Sequence, residues 1–298
     1  MDLFGLAHIQ QGFERDLASG RVKHAYLFVG PEHVGKTSLV TWMAQKLQCP
    51  NGGCLECQVC LQVANGTHAD TSFHLDDGET LPVETVREII IRANRTFTSR
   101  HLVTVIENVD RLSRSGLNAL LKTLEEPFES VVFLLTARHT RFIPATILSR
   151  VSVQSATGGT AETLAQYLSE KYPDRSPEEL DKVRHMGLGH VGECVTLLFD
   201  PDEYERRAIL MRSVASLLDA NVSDRLMGLS AIAEGKEGKD ASMELLHILS
   251  YLERERLVGS VTKPTVSIGR LELLQDSVSL LSRNVDPRLV LSQVALRY

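Results

Sequence analysis

The 298 residues contain no continuous apolar run of the roughly 18 residues that a membrane-spanning helix requires. The opening Met-Asp-Leu-Phe-Gly lacks the basic-then-apolar pattern of a secretory signal, so a cytoplasmic chain with no membrane partner is expected. Net positive charge is lacking too: 32 Lys and Arg stand against 38 Asp and Glu, a formal charge of −6. A protein that grips DNA alone normally shows a net basic face, because neutralising phosphates supplies most of the non-specific affinity, so solitary DNA binding is not expected. No internal repeat and no low-complexity tract is present, and the 43% hydrophobic content is that of a globular protein, which excludes disorder, collagen and a coiled-coil rod. Cysteine is scarce outside one place: Cys49, Cys54, Cys57 and Cys60 lie within twelve residues, and only Cys194 is elsewhere. With no secretion signal, that clustering points to a metal site rather than a disulfide framework.

The length suits two or three domains at about 100 to 200 residues each. Tyr26-Leu-Phe-Val29 is a short apolar run ending at Gly30, and a helical pattern of Leu39, Trp42, Met43 and Leu47 follows the next glycine. Ser72 to Leu75 reads as a strand and Val83 to Phe97 as a helix, with apolar positions at 86, 89, 90 and 93. Leu102 to Ile106 and Val131 to Leu135 are continuous apolar runs, the pattern of strands buried on both faces of a parallel sheet. Between them, Leu117, Leu120, Leu121 and Leu124 mark one face of a helix that stops before Pro127. Strands alternating with helices predict a doubly wound α/β domain over 1–155. Beyond Thr157 to Thr160 the strand signals cease. Residues 160–200 read as short helices broken by Pro173, Pro177, Gly187, Gly189 and Gly192, and 203–298 as about four longer ones with polar connectors at 234–240 and 259–264.

Gly30-Pro-Glu-His-Val-Gly35-Lys36-Thr37 fits G-x-x-x-x-G-K-[ST] between a strand and a helix, as a phosphate-binding loop requires. Backbone N–H groups freed by Gly30 and Gly35 would wrap a phosphate, Lys36 would reach the outer phosphates of ATP, and Thr37 would hold Mg²⁺. A loop that keeps this shape without turnover is the alternative. A hydrolysing NTPase usually ends a later strand with Asp supporting the metal, often followed by Glu orienting water. Here the strand is followed by Glu107-Asn108: Glu107 can present a carboxylate to the metal, but an Asn108 amide cannot accept a proton from water. Asp110 lies further along the turn. Thr136, in Phe133 to Arg138, is either a polar contact to a γ-phosphate or a capping or surface residue.

The cysteine spacing C-x4-C-x2-C-x2-C suits tetrahedral zinc, with Asn51-Gly-Gly53 supplying a turn. An iron–sulfur cluster competes, since the last three cysteines reproduce the ferredoxin spacing; that pattern, however, places its fourth cysteine downstream beside proline, and Cys49-Pro50 lies upstream. His68 and His74 are further potential ligands, but four thiolates already close a structural site with no open position.

Several blocks together carry a resemblance. Gly20 to Phe28 leading into the phosphate loop, the four-cysteine insertion at 49–60, Gly66-Thr-His-Ala-Asp70, Leu117 to Pro127, Ile147-Leu-Ser-Arg150 and the closing Arg283 to Leu291 resemble the bacterial DNA polymerase III clamp-loader ATPases of the AAA+ class, most closely the delta-prime type of subunit. The resemblance is dense over 1–155, thinner over the following helices and faint near the end. It implies an AAA+ P-loop domain with a zinc-binding insertion (1–155), a small α-helical lid (156–202) and an all-α collar domain (203–298). It also implies that Arg150 reaches across a subunit interface to a neighbour's γ-phosphate, although Val151 stands where the family's Ser-Arg-Cys motif has cysteine.

Two departures matter. The family's motor subunits carry Asp-Glu where this chain has Glu107-Asn108, and a lid arginine where Gly189-His-Val-Gly192-Glu193 has glycine. A cis site short of two catalytic groups that keeps its trans arginine looks like a stator: a weak or absent ATPase that joins gamma/tau and delta subunits and, through them, the sliding clamp and primed DNA. The rivals are an active gamma/tau-type ATPase and a zinc-containing nucleic-acid-binding or signalling NTPase. Arg87, Arg92, Arg95 and Arg100 form a basic run that a solvated face explains, with a DNA contact as the sharper alternative.

Overall fold

The computed structural model describes residues 3–76, 81–93, 97–234, 238–259 and 264–298. Five parallel strands form one sheet: β1 (Ala25–Val29), β2 (Thr71–His74), β3 (Leu102–Ile106), β4 (Val131–Ala137) and β5 (Ser152–Ser155), in the order β2-β3-β4-β1-β5. The register sets Ala25 beside Phe133 and Leu102 beside Val131. All seven residues of the central β4 are buried, which the continuous apolar run foretold.

Side chains alternate across the strands, and each face therefore builds its own core. On one face Tyr26, Phe28, Val103, Val105, Val132 and Leu134 pack with α1 (Ala7–Ala18) and α2 (Lys36–Gln48). On the other, Leu27, Ile106, Phe133 and Leu135 meet α4 (Val83–Ala93) and α5 (Arg114–Glu125), whose Leu117, Leu120 and Leu124 are buried as the periodicity predicts. Ser113 caps α5 by accepting from the Gly116 N–H, and Pro127 keeps the helix from continuing. A short α3 (Gln58–Ala64) lies against α2.

Two local expectations change. The helix expected over Val83 to Phe97 is described to Ala93, and Phe97 lies outside any helix; Arg95, part of the basic run, falls outside the described residues. β5 was not anticipated, because Ser152-Val-Gln-Ser155 is a four-residue edge strand with alternate residues exposed and no apolar run.

The chain folds as two compact units: Met1–Arg184 with Gly189–Glu193, and His185–Leu188 with Cys194–Tyr298. No strand follows Ser155 among the described residues. After α6 (Ala145–Leu148) come α7 (Ala161–Lys171), α8 (Pro177–Met186) and α9 (Val191–Phe199). The second unit holds α10 (Pro201–Asp219), α11 (Val222–Ile232), α12 (Gly238–Val258), α13 (Pro264–Ser282) and α14 (Pro287–Arg297), five described helices where about four were expected. Gly238 to Asp240, expected in a connector, opens α12. The core of this unit includes Leu245, Leu249, Leu274, Leu281, Leu291 and Val294. Within it, the buried Glu253 accepts from the Arg256 guanidinium at 2.9 Å and the Tyr298 hydroxyl at 2.5 Å. No helix among the described residues is long and apolar enough to cross a membrane.

Candidate functional site

The carboxyl ends of β1, β2, β3 and β4 converge at one edge of the sheet, where open α/β folds carry their ligands. Gly30 follows β1. A Cβ there would sit 1.9 Å from the Ala156 carbonyl oxygen, so only glycine lets the loop leave beside β5. Gly35 at φ 91° occupies left-handed space that side chains rarely adopt, and it turns the chain into α2. Lys36, buried at the start of that helix, donates to the loop carbonyls of Gly30 at 2.8 Å and Pro31 at 2.6 Å. Burial holds its ammonium below the ordinary lysine value, against the pull of Glu32 and Asp110.

Thr37 and Glu107 meet as the motif requires. The Thr37 hydroxyl donates to Glu107 Oε1, and the Asp76 N–H donates to Oε2 at 3.1 Å. A hydroxyl beside a carboxylate is a hard-oxygen donor pair that fits Mg²⁺, and Lys36 with the loop N–H groups fits the phosphates it would accompany. Bound there, MgATP would supply the phosphoryl group; the chain's part is to hold it.

The next residue is an amide, not an acid. Asn108 adopts left-handed φ 45°, its N–H donates to Thr136 Oγ1 at 3.0 Å, and its amide donates to Asp76 Oδ2 at 2.6 Å. Thr136 is buried within β4, and its hydroxyl accepts that bond across the ends of the two neighbouring strands, so it is not a surface residue. Asp110 is also engaged: its carboxylate accepts from the Arg138 N–H at 3.3 Å and faces the His139 Nδ1 at 3.0 Å.

Sequence reasoning missed Asp76, Arg111, Glu32 and Arg138. Asp76 takes the Arg111 guanidinium at 2.6 Å, and Arg138 takes Glu32 at 2.8 Å. The available signal was position, since Asp76 and Arg138 stand just beyond the ends of β2 and β4. Another missed contact joins the loop to α9: the Gly192 N–H donates to the His33 carbonyl at 2.8 Å, and Glu193 Oε1 lies 3.1 Å from His33 Nε2.

The four cysteines converge. Their sulfurs lie within 4.8 Å of one another, with Cys49 at 3.8 Å from Cys54 and 3.7 Å from Cys57. Four thiolates about 2.3 Å from one ion would stand about 3.8 Å apart at tetrahedral angles, so the donor set and its size fit zinc. Burial works to raise the Cys49 thiol, yet the N–H groups of Cys54, Gly53 and Asn51 outweigh it and bring it to about 6; burial pushes Cys60 up to about 12. A metal would bind these groups as thiolates. Neither His68 nor His74 joins the cluster: the His68 ring faces the Asp70 N–H at 3.3 Å, and His74 lies at the end of β2. The Asp70 of the same short motif anchors the approach to β3, accepting from the Thr98 N–H at 3.1 Å and the Ser99 N–H at 2.9 Å.

Arg150 is not part of the loop's polar network. It follows α6 and holds the Thr146 carbonyl at 2.8 Å and Glu125 Oε1 at 2.8 Å. In the basic run, Arg92 donates to the Ala69 carbonyl at 2.6 Å and Arg87 lies 3.7 Å from Glu84.

A sequence model of the family described as DNA polymerase III, delta subunit, matches residues 5–156, half of the chain. The chain belongs to the DNA polymerase III clamp-loader AAA+ family. It is 38% identical over 237 residues to DNA polymerase III subunit tau of Escherichia coli, covering 76% of this chain and 37% of that protein. It is 32% identical over 206 residues to subunit gamma of Buchnera aphidicola, covering 66% and 57%, and 30% identical over 308 residues to subunit tau/gamma of Haemophilus influenzae, covering 96% and 44%. The chain spans about half the length of the curated relatives it matches. Among solved structures, a DNA polymerase III gamma subunit-related protein of Thermotoga maritima aligns over 98% of this chain and 97% of its own, at 15% identity and a TM-score of 0.44. Family membership sets aside the rival of an NTPase unrelated to replication.

Proposed function

We propose that this clamp-loader chain is a delta-prime-like stator. It joins gamma/tau and delta subunits in a cytoplasmic ring, supports loading of the sliding clamp on primed DNA, and offers Arg150 to the nucleotide of the adjacent motor subunit. The domains are the AAA+ module with its zinc insertion (1–155), the lid (156–202) and the collar (203–298). The observation that carries this reading is Asn108. It stands where a hydrolytic site orients water, it has no carboxylate, and both its N–H and its amide are spent on Thr136 and Asp76. Lys36, Thr37 and Glu107 can hold MgATP, with Gly30, Gly35 and Thr136 shaping the site, but none of them activates water.

A gamma/tau-type ATPase is the second reading. The Thr37–Glu107 contact and the names of the relatives favour it. ATPase assays on the purified chain, alone and in a ring reconstituted with motor and clamp-opening subunits, decide between them. The stator reading expects turnover near background alone, with a requirement for the chain in DNA-stimulated ATPase of the ring. Robust turnover by the chain alone, abolished by Lys36→Ala, would establish the ATPase reading instead.

A further inference from the structure

The phosphate loop carries an acid that the proposed function does not use. Glu32 lies between Pro31 and His33, and its Oε1 stands 2.8 Å from the Arg138 guanidinium. That guanidinium is also 3.8 Å from Asp76 Oδ2. Lys36 donates to the carbonyl of Pro31, the residue directly before Glu32, at 2.6 Å, so the acid and both cations meet at one stretch of the loop. The next residue is pinned: His33 adopts φ 58°, its carbonyl accepts from Gly192 and its imidazole faces Glu193. The loop is thereby fixed where Glu32 meets Arg138.

A phosphate loop attracts anions because its N–H groups and lysine present positive potential without an internal counter-charge. Here both cations have internal partners: Lys36 donates to two loop carbonyls, and Arg138 is paired with Glu32. We propose that Glu32 is a built-in counter-anion that competes with the phosphates of a nucleoside triphosphate for Lys36 and Arg138, and that Arg138, once released, binds the outermost phosphate. Nucleotide affinity is then held down by one side chain of an otherwise intact loop. The proposal rests on the reading of Gly30 to Thr37 as a phosphate cradle.

The test is fluorescence titration of the full chain with a fluorescent ATP analogue and its ADP counterpart, each with Mg²⁺. Both members of the pair are 40% exposed, so Glu32→Gln and Arg138→Ala should fold, which thermal melting checks. Removing one partly screened charge from the site should tighten triphosphate binding by about tenfold, and diphosphate binding less. Adding Arg138→Ala should cancel most of that gain, and adding Lys36→Ala should abolish binding. Unchanged, weakened or undetectable binding by the folded Glu32→Gln chain would overturn the proposal, as would a gain that survives Arg138→Ala. Ring assembly and the Arg150 effect do not depend on Glu32, so failure here leaves the stator reading standing, and failure there leaves this titration as it is.

Discussion

Replacing Arg150 by alanine separates a structural arginine from one that acts on a neighbour, because its internal contacts are modest. Its guanidinium reaches the Thr146 carbonyl at 2.8 Å, the Ser149 hydroxyl at 3.1 Å and Glu125 at 2.8 Å, with 35% of the arginine side chain and 45% of the glutamate exposed. Ion pairs of that exposure contribute roughly 0–1 kcal/mol, so Arg150→Ala should cost about 1 kcal/mol or less of stability. That corresponds to a fall of about 2–4 °C in melting temperature. A guanidinium placed on a transferring phosphoryl group accelerates the reaction by about 10³ to 10⁵, or about 4–7 kcal/mol at about 1.36 kcal/mol per decade. The two accounts therefore differ by several kcal/mol in a measurable rate.

The assay is single-turnover ATP hydrolysis in a reconstituted ring in which only the motor subunit beside this chain is competent to hydrolyse. Arg150→Ala should slow that site at least a hundredfold while the ring still assembles. Arg150→Lys should recover little, since a compact ammonium cannot reproduce the planar fork. An assembled Arg150→Ala ring that hydrolyses at the normal rate would refute the reasoning and leave Arg150 as a helix-end residue tied to Glu125.

The cysteine cluster should yield one zinc per chain by elemental analysis. Cys60→Ser should lose the metal and lower the melting temperature with the far-UV signal of the sheet and helices largely kept; iron with a brown chromophore, or zinc retained by that variant, would contradict the assignment. Asp70 gives a pH test: burial raises its carboxyl, but the hydrogen bonds from Ser99 and Thr98 prevail and hold it below the ordinary range. Its stabilisation is thus present above the unfolded value of about 4 and lost as pH falls through the folded one. Asp70→Asn should cost about 2 kcal/mol in urea unfolding at pH 7 and progressively less as the pH is lowered below about 4, whereas an equal deficit at all pH values would sink this account.

What the sequence disclosed, and what it hid, follows from how each feature is encoded. Buried parallel strands need unbroken apolar stretches, so β3 and β4 were plain in the sequence, while the polar edge strand Ser152–Ser155 was invisible to that criterion. The phosphate loop and the cysteines declare themselves through local spacing, because one turn of chain brings their groups together. Asp76, Arg138 and Gly192 share no such spacing: they are brought beside Asn108, Glu32 and His33 only by the parallel register of the sheet and the return of α9. In the sequence Gly192 shows only as the absence of the family's arginine. Its positive role, an N–H bound to the loop carbonyl, required the fold.

Position 108 joins the sequence departures to the architecture. Asparagine is among the side chains that tolerate left-handed backbone, and Asn108 sits there at φ 45°. Its amide donates to Asp76 Oδ2 at 2.6 Å, while Asp76 also receives the Arg111 guanidinium and gives its own N–H to Glu107. A glutamate at 108 would bring a third carboxylate beside Asp76 and Glu107, exchanging a hydrogen bond for like-charge repulsion in a partly buried setting. The water-orienting acid is therefore replaced by a network in which Asp76 and Arg111 already hold the place of Asn108. The same network aligns Glu107 with Thr37, and it is on this geometry that the stator reading proposed above rests: a site arranged to hold a metal and a phosphate, with an amide where a hydrolytic site carries its water-orienting acid.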